Sequence, residues 1–293
     1  MKFTLRQLQV FLATAHHENI SRAAQSLSMS QSAASGALKE LEALYDLKFF
    51  ERAGKRLKLN ELGRQFWPRA EALLAQAREL EADLLSHDNL GRLNVGATLT
   101  IGNYLAVGIM AQYMAEQPGA RVHLEVANTR AIVKRVLGFE LDLGLIEGEH
   151  NHPDLELLPW RADELAVFCA PDHPLASKGR LDDDDLRGAH WIVREPGSGT
   201  RQTFERAMHG LVPELDLALE LEHTEAIKRA VETGLGISCL SRVSLQEAFR
   251  RGSLVELSVP GRDFSRDFYF VLHRQKYRSP GINRWLELCK TLP

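Results

Sequence analysis

Leu5, Leu8, Phe11, Leu12 and Ala15 recur at helical spacing, so the chain opens on an amphipathic helix. A second, shorter helix carries Ala23, Ala24 and Leu27, with Ser21 as its expected cap. Ser28-Met29-Ser30 breaks the pattern and offers another cap. Ala34, Ala37, Leu38, Leu41 and Leu44 then form a third apolar stripe. The small residues let three helices cross closely. Opposite the third stripe lie Gln31, Ser32, Ser35 and Lys39, which are hydrogen-bonding side chains near a helix start. Two short helices around a tight turn, the second with a polar face, make a helix-turn-helix, a unit that places its second helix in the DNA major groove.

From Phe49 to Asn60 two extended pieces flank Ala53-Gly54-Lys55-Arg56, which predicts a hairpin wing. Its Arg52, Lys55, Arg56 and Lys58 suit phosphate contacts, which position a protein without reading sequence. Over residues 61–87, Phe66, Ala70, Leu73, Ala77, Leu80 and Leu84 alternate by four and three. A helix there spans about 40 Å, and a seam of that length needs a partner. Pro68 predicts a late start or a bend. Further on, eight strand-like runs begin at Leu93, Val122, Leu143, Leu165, Trp191, Leu217, Gly236 and Phe268, with helical segments between most of them. Such alternation predicts an α/β fold with largely parallel sheets.

Charge divides the chain at the same place as the pattern. Residues 1–60 hold nine Lys and Arg against five Asp and Glu, a formal +4. The whole chain is −3, which leaves −7 for the remainder. That asymmetry suits a nucleic-acid module joined to a different domain. Cys169, Cys239 and Cys289 are widely spaced, without a CxxC, and two lie in apolar runs. Buried free thiols in a reducing compartment are expected. No leader or membrane-spanning segment is legible, so the cytoplasm is the expected location.

Three segments could bind a ligand where strand ends meet helix starts. They are Gly96 to Tyr104; Arg194-Glu195-Pro196-Gly197-Ser198-Gly199-Thr200-Arg201 before a helix expected over Thr203–Met208; and His223-Thr224-Glu225-Ala226-Ile227. Hydroxyls and backbone N–H groups at such places favour an anion. The glycine-rich loop lacks the Gly-Lys-Ser/Thr ending of a nucleotide P-loop. Glu147, Glu149, His150, His152 and Asp154 share one loop without metal-ligand spacing, and Asp182 to Asp185 reads as a helix-capping run. Clear Ser/His/Asp or paired-carboxylate signatures are absent. The expectation is therefore no catalytic residue, no metal and no cofactor beyond a small-molecule effector. An α/β enzyme or binding protein with an appended DNA-binding domain is the competing reading.

The chain resembles the LysR-type transcriptional regulators. The matching residues are Leu5-Arg6-Gln7-Leu8-Gln9-Val10-Phe11, Ser21-Arg22-Ala23-Ala24, Ser30-Gln31-Ser32-Ala33-Ala34-Ser35, Leu38-Lys39-Glu40-Leu41-Glu42 and Leu47-Lys48-Phe49-Phe50-Glu51-Arg52. Thr100-Ile101-Gly102-Asn103-Tyr104-Leu105 and the glycine-rich loop resemble the subgroup that includes regulators of sulfite metabolism and of carbon fixation. Gly36 departs from the large, often basic residue common there. The resemblance implies a winged helix-turn-helix over 1–60, a linker and dimerisation helix over 61–87, and a two-lobed, Rossmann-like effector domain over 88–293, similar to type 2 periplasmic binding proteins. Lobe I would comprise 88–162 and 267–293, and lobe II 163–266. Arg22, Gln31, Ser32, Ser35, Lys39, Arg52, Lys55 and Arg56 are the expected DNA contacts. Thr98, Thr100, Ile101, Asn128, Thr129, Glu147, Ser198, Gly199, Thr200, Thr224 and Glu225 are the expected effector contacts. Expected partners are double-stranded promoter DNA, a small anion, further copies of the chain as homodimer and homotetramer, and RNA polymerase, with no membrane.

Overall fold

The computed structural model describes residues 2–54, 56–85, 92–148 and 150–291. It forms two compact units, Met1–Gly91 with Arg274–Asn283, and Arg92–His273 with Arg284–Pro293. In the first, α1 (Leu5–His17) starts in a capping box: Gln7 N donates to Thr4 Oγ1 at 3.2 Å, and Thr4 N donates to Gln7 Oε1 at 2.9 Å. Helix α2 (Ile20–Ser26) is capped by Asn19 and not by Ser21. Asn19 Oδ1 accepts from Ser21 N at 2.9 Å and from Arg22 N at 3.1 Å, so Ser21 already lies inside the first turn. Helix α3 (Gln31–Ala43) is capped by Ser30, whose Oγ accepts from Ala33 N at 3.2 Å.

Strands β1 (Phe50–Ala53) and β2 (Arg56–Leu59) pair antiparallel as the wing. Helix α4 (Glu61–Leu85) begins early and runs through Pro68. Asn60 holds its start, taking Gly63 N on Oδ1 at 2.8 Å and Arg64 N on its carbonyl at 3.0 Å. Leu8, Phe11, Ala34, Leu41, Phe49, Ala70 and Leu74 form this unit's core, with Phe66 packed against it. Phe66 and Ala70 therefore face their own domain rather than an open seam. Leu62, Leu73 and Leu80 are exposed along the same helix. The Leu84 side chain lies outside the described residues.

The second unit begins with β3 (Arg92–Ala97) and a helical run made of α5 (Leu99–Ile101), one π-turn (Gly102–Ala106) and α6 (Val107–Glu116). Then come β4 (Arg121–Val126), α7 (Thr129–Leu137), β5 (Leu143–Glu147) and the long β6 (Leu155–Cys169). The second half holds α8 (Asp183–Gly188), β7 (His190–Arg194), α9 (Gly199–Ala207), β8 (Asp216–Leu221), α10 (Thr224–Glu232), β9 (Ile237–Ser241), α11 (Arg242–Arg251) and β10 (Val255–Leu257). The chain closes on β11 (Ser265–His273) and α12 (Pro280–Thr291).

The strand order is β4-β3-β5-β11-β6-β9-β7-β8, with β10 also on β6. Pairs β3/β4, β3/β5, β7/β8 and β7/β9 are parallel. Every pair involving β6 or β11 is antiparallel, so the sheet is mixed rather than largely parallel. The reason is topological: β6 carries the chain from one half to the other and β11 carries it back, so the two run in opposite directions. Asp163 and Arg266 are cross-strand partners at that passage. Around Trp191, Phe204 and Leu186 the second half builds its own core, and Ile132, Val136 and Leu141 anchor one in the first. Cys169, Cys239 and Cys289 are buried free thiols. Burial pushes the Cys169 thiol up to about 11, out of reach of neutral-pH chemistry.

Candidate DNA-binding surface and interlobe site

On α3, Gln31, Ser32 and Lys39 are exposed and Ser35 is half-buried, while Ala34, Leu38 and Leu41 turn to the core. Arg22 is exposed on α2. Nothing lies within 4 Å of a Cβ built on Gly36, so the departure at this position leaves open space beside the polar face. In the wing Arg52 is exposed, whereas Arg56 pairs with Glu18 at 3.3 Å. Leu57 N also donates to the Glu18 carbonyl at 2.9 Å, which pins the wing to the end of α1. Lys55 lies outside the described residues.

The effector candidates meet where the two halves of the second unit face each other. Glu147 ends β5 and its side chain is 1 % exposed. Its Oε1 accepts the Thr100 N–H at 3.1 Å. Its Oε2 accepts the Thr200 hydroxyl at 2.9 Å and Arg266 Nη1 at 3.0 Å. Arg266 Nη1 also donates to Thr200 Oγ1 at 3.0 Å, and Nε donates to Asp163 Oδ2 at 2.7 Å. Asp163 Oδ1 takes the Ser241 hydroxyl at 2.7 Å. Burial alone would raise the Glu147 carboxyl; Arg266 beside it and the bonds from Thr100 and Thr200 hold it below the ordinary value instead. The chain's own carboxylate thus occupies the Thr100 N–H and the Thr200 hydroxyl, both expected to await a ligand.

Of two further contacts, the first lies within one half and the second crosses to the other. Thr129 Oγ1 donates to the Glu147 carbonyl at 3.4 Å, and Asn128 Nδ2 donates to Glu195 Oε1 at 3.1 Å. Asn128 also caps α7, with Ala131 N on Oδ1 at 3.0 Å. Gly199 touches the Glu147 backbone so closely that a Cβ would sit 2.1 Å from its carbonyl oxygen. Helix α9 starts at Gly199 and not at Thr203, because Ser198 is its cap, with Arg201 N at 3.5 Å from Oγ. Ser198 therefore serves its own helix. Ile101 is wholly buried.

On another flank the π-turn presents Tyr104, whose hydroxyl donates to Glu225 Oε1 at 2.5 Å. Lys228 Nζ binds the same carboxylate at 2.7 Å. Burial first, and the Glu225 bond second, raise the Tyr104 hydroxyl well above its ordinary value. Among the described residues, Thr98 Oγ1, Thr224 Oγ1 and Arg266 Nη2 are buried without a hydrogen-bond partner.

Residues 5–64 match the family model described as bacterial regulatory helix-turn-helix protein, lysR family, and residues 86–292 match the LysR substrate binding domain. The chain belongs to the LysR family. Members are transcriptional regulators that bind DNA and carry an effector-binding domain. The HTH-type transcriptional regulator YeiE of Escherichia coli K12 is 42 % identical over 99 % of this chain and 98 % of its own length. The RuBisCO operon transcriptional regulator of Allochromatium vinosum is 33 % identical over 98 % of this chain and 95 % of its own. Among solved structures, the CcmR regulatory domain of Synechocystis PCC6803 in complex with 2-PG is similar, at 30 % identity and a TM-score of 0.63. That match covers 68 % of this chain and 96 % of the other.

In this LysR-type regulator several residues of the interlobe network are not among the sequence candidates: Arg266, Asp163, Ser241 and Lys228, while Tyr104 falls in a candidate segment without being named as a contact. One signal for Arg266 exists. Phe264, Arg266, Phe268 and Phe270 alternate as the buried positions leading into and along β11, so an arginine stands at an inward place in an apolar register. Of the acidic loop, Glu147 is committed to Arg266 and Glu149 lies outside the described residues; among those described, no group of three His, Cys, Asp or Glu is placed to hold a metal. Asp182 caps α8 in a capping box with Asp185, as the aspartate run suggests. No helix among the described residues is long and apolar enough to cross a membrane.

Proposed function

We propose that this regulator binds promoter DNA as a homodimer and is switched by a small anion taken between its lobes. Residues 1–60 bind the DNA, 61–87 pair two copies, and 88–293 bind the effector, with lobes 88–162 plus 267–293 and 163–266. The observation that carries the effector reading is the set of three buried polar atoms without partners, Thr98 Oγ1, Thr224 Oγ1 and Arg266 Nη2. Buried groups of this kind are rare and costly, and all three can donate to an oxyanion. The 2-PG ligand of the CcmR domain supports the same class of molecule. Leu73 and Leu80, exposed on α4, support the dimer, and a two-fold protein matches two half-sites one helical turn apart. Such a regulator works in the cytoplasm, where the promoter is.

The test is calorimetric titration of the whole chain with 2-PG, phosphate and sulfate. Thr224→Val keeps the shape and deletes one buried donor, so it should weaken binding of whichever anion binds by about tenfold or more. The reading fails if Thr98→Val and Thr224→Val both match the parent, or if none of the three anions binds while a cationic or apolar compound does. Ser198→Ala should act mainly on α9, by deleting its cap.

For DNA, Gln31, Ser32 and Ser35 read bases while Arg22, Lys39, Arg52, Lys55 and Arg56 hold phosphates. Arg52→Ala should weaken binding to all duplexes alike and flatten the salt dependence by about one unit of slope. Ser35→Ala should act mainly on operator preference. Filter binding across a salt series checks both, and an unchanged slope with an unchanged preference refutes the assignment.

A further inference from the structure

The three unpartnered groups do not complete the inventory of the interlobe site. A carboxylate offers about four lone-pair positions. Glu147 Oε2 uses two, on Thr200 and Arg266, and Oε1 uses one, on Thr100. Among the described residues no further donor meets Oε1, so one acceptor position remains there, on a side chain sealed from solvent. The buried groups around it add no spare positive charge. Arg266 stands between two carboxylates, Glu147 and Asp163, and Arg194 is paired with Glu195. The buried set is therefore net negative by one, although its unpartnered groups are donors.

These two facts make opposite demands. The two hydroxyls and the guanidinium Nη2 want acceptor oxygens. The remaining Glu147 lone pair wants a donor, and its charge repels an oxygen that has none. An oxyanion without a proton satisfies the first demand and violates the second. An oxyanion that keeps an O–H satisfies both: its bare oxygens accept from Thr98, Thr224 and Arg266, and its hydroxyl donates to Glu147.

We infer that Glu147 is a specificity-determining residue that admits oxyanions still carrying a proton or hydroxyl and rejects fully ionised ones. The inference rests on the interlobe effector reading and adds the ligand's protonation to it. Glu147 remains ionised in this role, because Arg266, Thr100 and Thr200 stabilise its charged form.

Inorganic phosphate and sulfate make the test, being tetrahedral anions of similar size. In mildly acidic buffer phosphate keeps protons and sulfate has none. Titration of the full chain should show phosphate binding at least about tenfold more tightly than sulfate, since a buried acceptor facing a bare anion forfeits a charge-assisted bond. In Glu147→Gln the side chain no longer repels, and the amide can donate. Sulfate should then bind about tenfold better than to the parent, and the gap between the anions should close. The parent comparison stands by itself if the variant does not fold. Equal binding of both anions to the parent, abolished by Thr224→Val, overturns the role of Glu147 and leaves the interlobe site in place. Anion binding that Thr98→Val and Thr224→Val do not alter overturns the site as well. Binding of neither anion overturns the inference.

Discussion

Gly199→Ala should force the lobes of the effector domain apart and abolish its response to any effector held between them. A Cβ at this position would lie 2.1 Å from the Glu147 carbonyl oxygen, 2.7 Å from its carbonyl carbon and 2.8 Å from its Cβ. The first two are backbone atoms at the end of β5, a strand buried on both sides, and cannot swing away. The strain must be relieved by moving the start of α9. That movement withdraws Thr200 from Glu147 and Arg266. Overpacking of this kind costs about 1–3 kcal/mol, but the functional loss should be larger, because one methyl group opposes the closed arrangement as a whole. Small-angle scattering should give a larger radius of gyration than the parent, and effector-dependent changes in operator binding should vanish. A variant with parent-like scattering and response would refute this account of the Gly199 contact.

Arg266→Met should cause the greatest loss of stability among single changes in the effector domain. The arginine is 1 % exposed and binds two carboxylates that are 1 % and 2 % exposed. Removing the cation leaves Glu147 and Asp163 buried without it, and breaking a buried pair costs about 3–5 kcal/mol. For a domain of this size each kcal/mol lowers Tm by about 2–4 °C, so a fall of roughly 10 °C is expected. The effect should depend on pH in a defined sense. In the parent the Glu147 carboxyl is held below its ordinary value. Its contribution is present above the unfolded pKa and is lost as pH falls through the folded one. In the variant burial acts unopposed by Arg266, so Glu147 moves up and the penalty is largest at neutral pH. Differential scanning calorimetry should show the gap in Tm narrowing as the buffer is acidified. A gap below about 2 °C, or one independent of pH, would sink the argument.

How far the sequence carries the architecture can be judged residue by residue. Apolar spacing places α1 and α3 because helical periodicity is a local property, recorded in Leu8, Phe11, Leu38 and Leu41. The cap of α2 differs from the expected Ser21 because Asn19 and Ser21 are both good caps; which one is used depends on where the chain leaves α1, and Glu18 there takes a left-handed conformation. The seam on α4 was legible as a stripe, but not its division between an inward Phe66 and Ala70 and an outward Leu73 and Leu80. That division depends on Phe11 and Phe49, which are distant in sequence.

In the effector domain the hydroxyl-bearing helix starts could be read because each is a local capping pattern. The pairings of Arg266 with Glu147 and of Tyr104 with Glu225 could not, because the partners lie 119 and 121 residues apart along the chain. The carboxylate already present in the site is not legible for the same reason. A helix start looks like a waiting anion site until a carboxylate from another strand, here Glu147, is found already seated on it.

On the proposed reading of the effector site, three buried groups without partners among the described residues would also set how strongly a ligand can drive this regulator. A two-state equilibrium moves from one part in a hundred to ninety-nine parts only when the ligand favours one state by about 5.5 kcal/mol. Each unmet buried donor costs the closed arrangement about 1–3 kcal/mol, and a ligand that satisfies it recovers that amount in the closed state alone. Thr98, Thr224 and Arg266 together supply roughly 3–9 kcal/mol on that scale, a range that brackets the requirement. A molecule that reaches only one of the three would fill the cleft and leave most of the population where it was. Such a partial ligand would act as an antagonist.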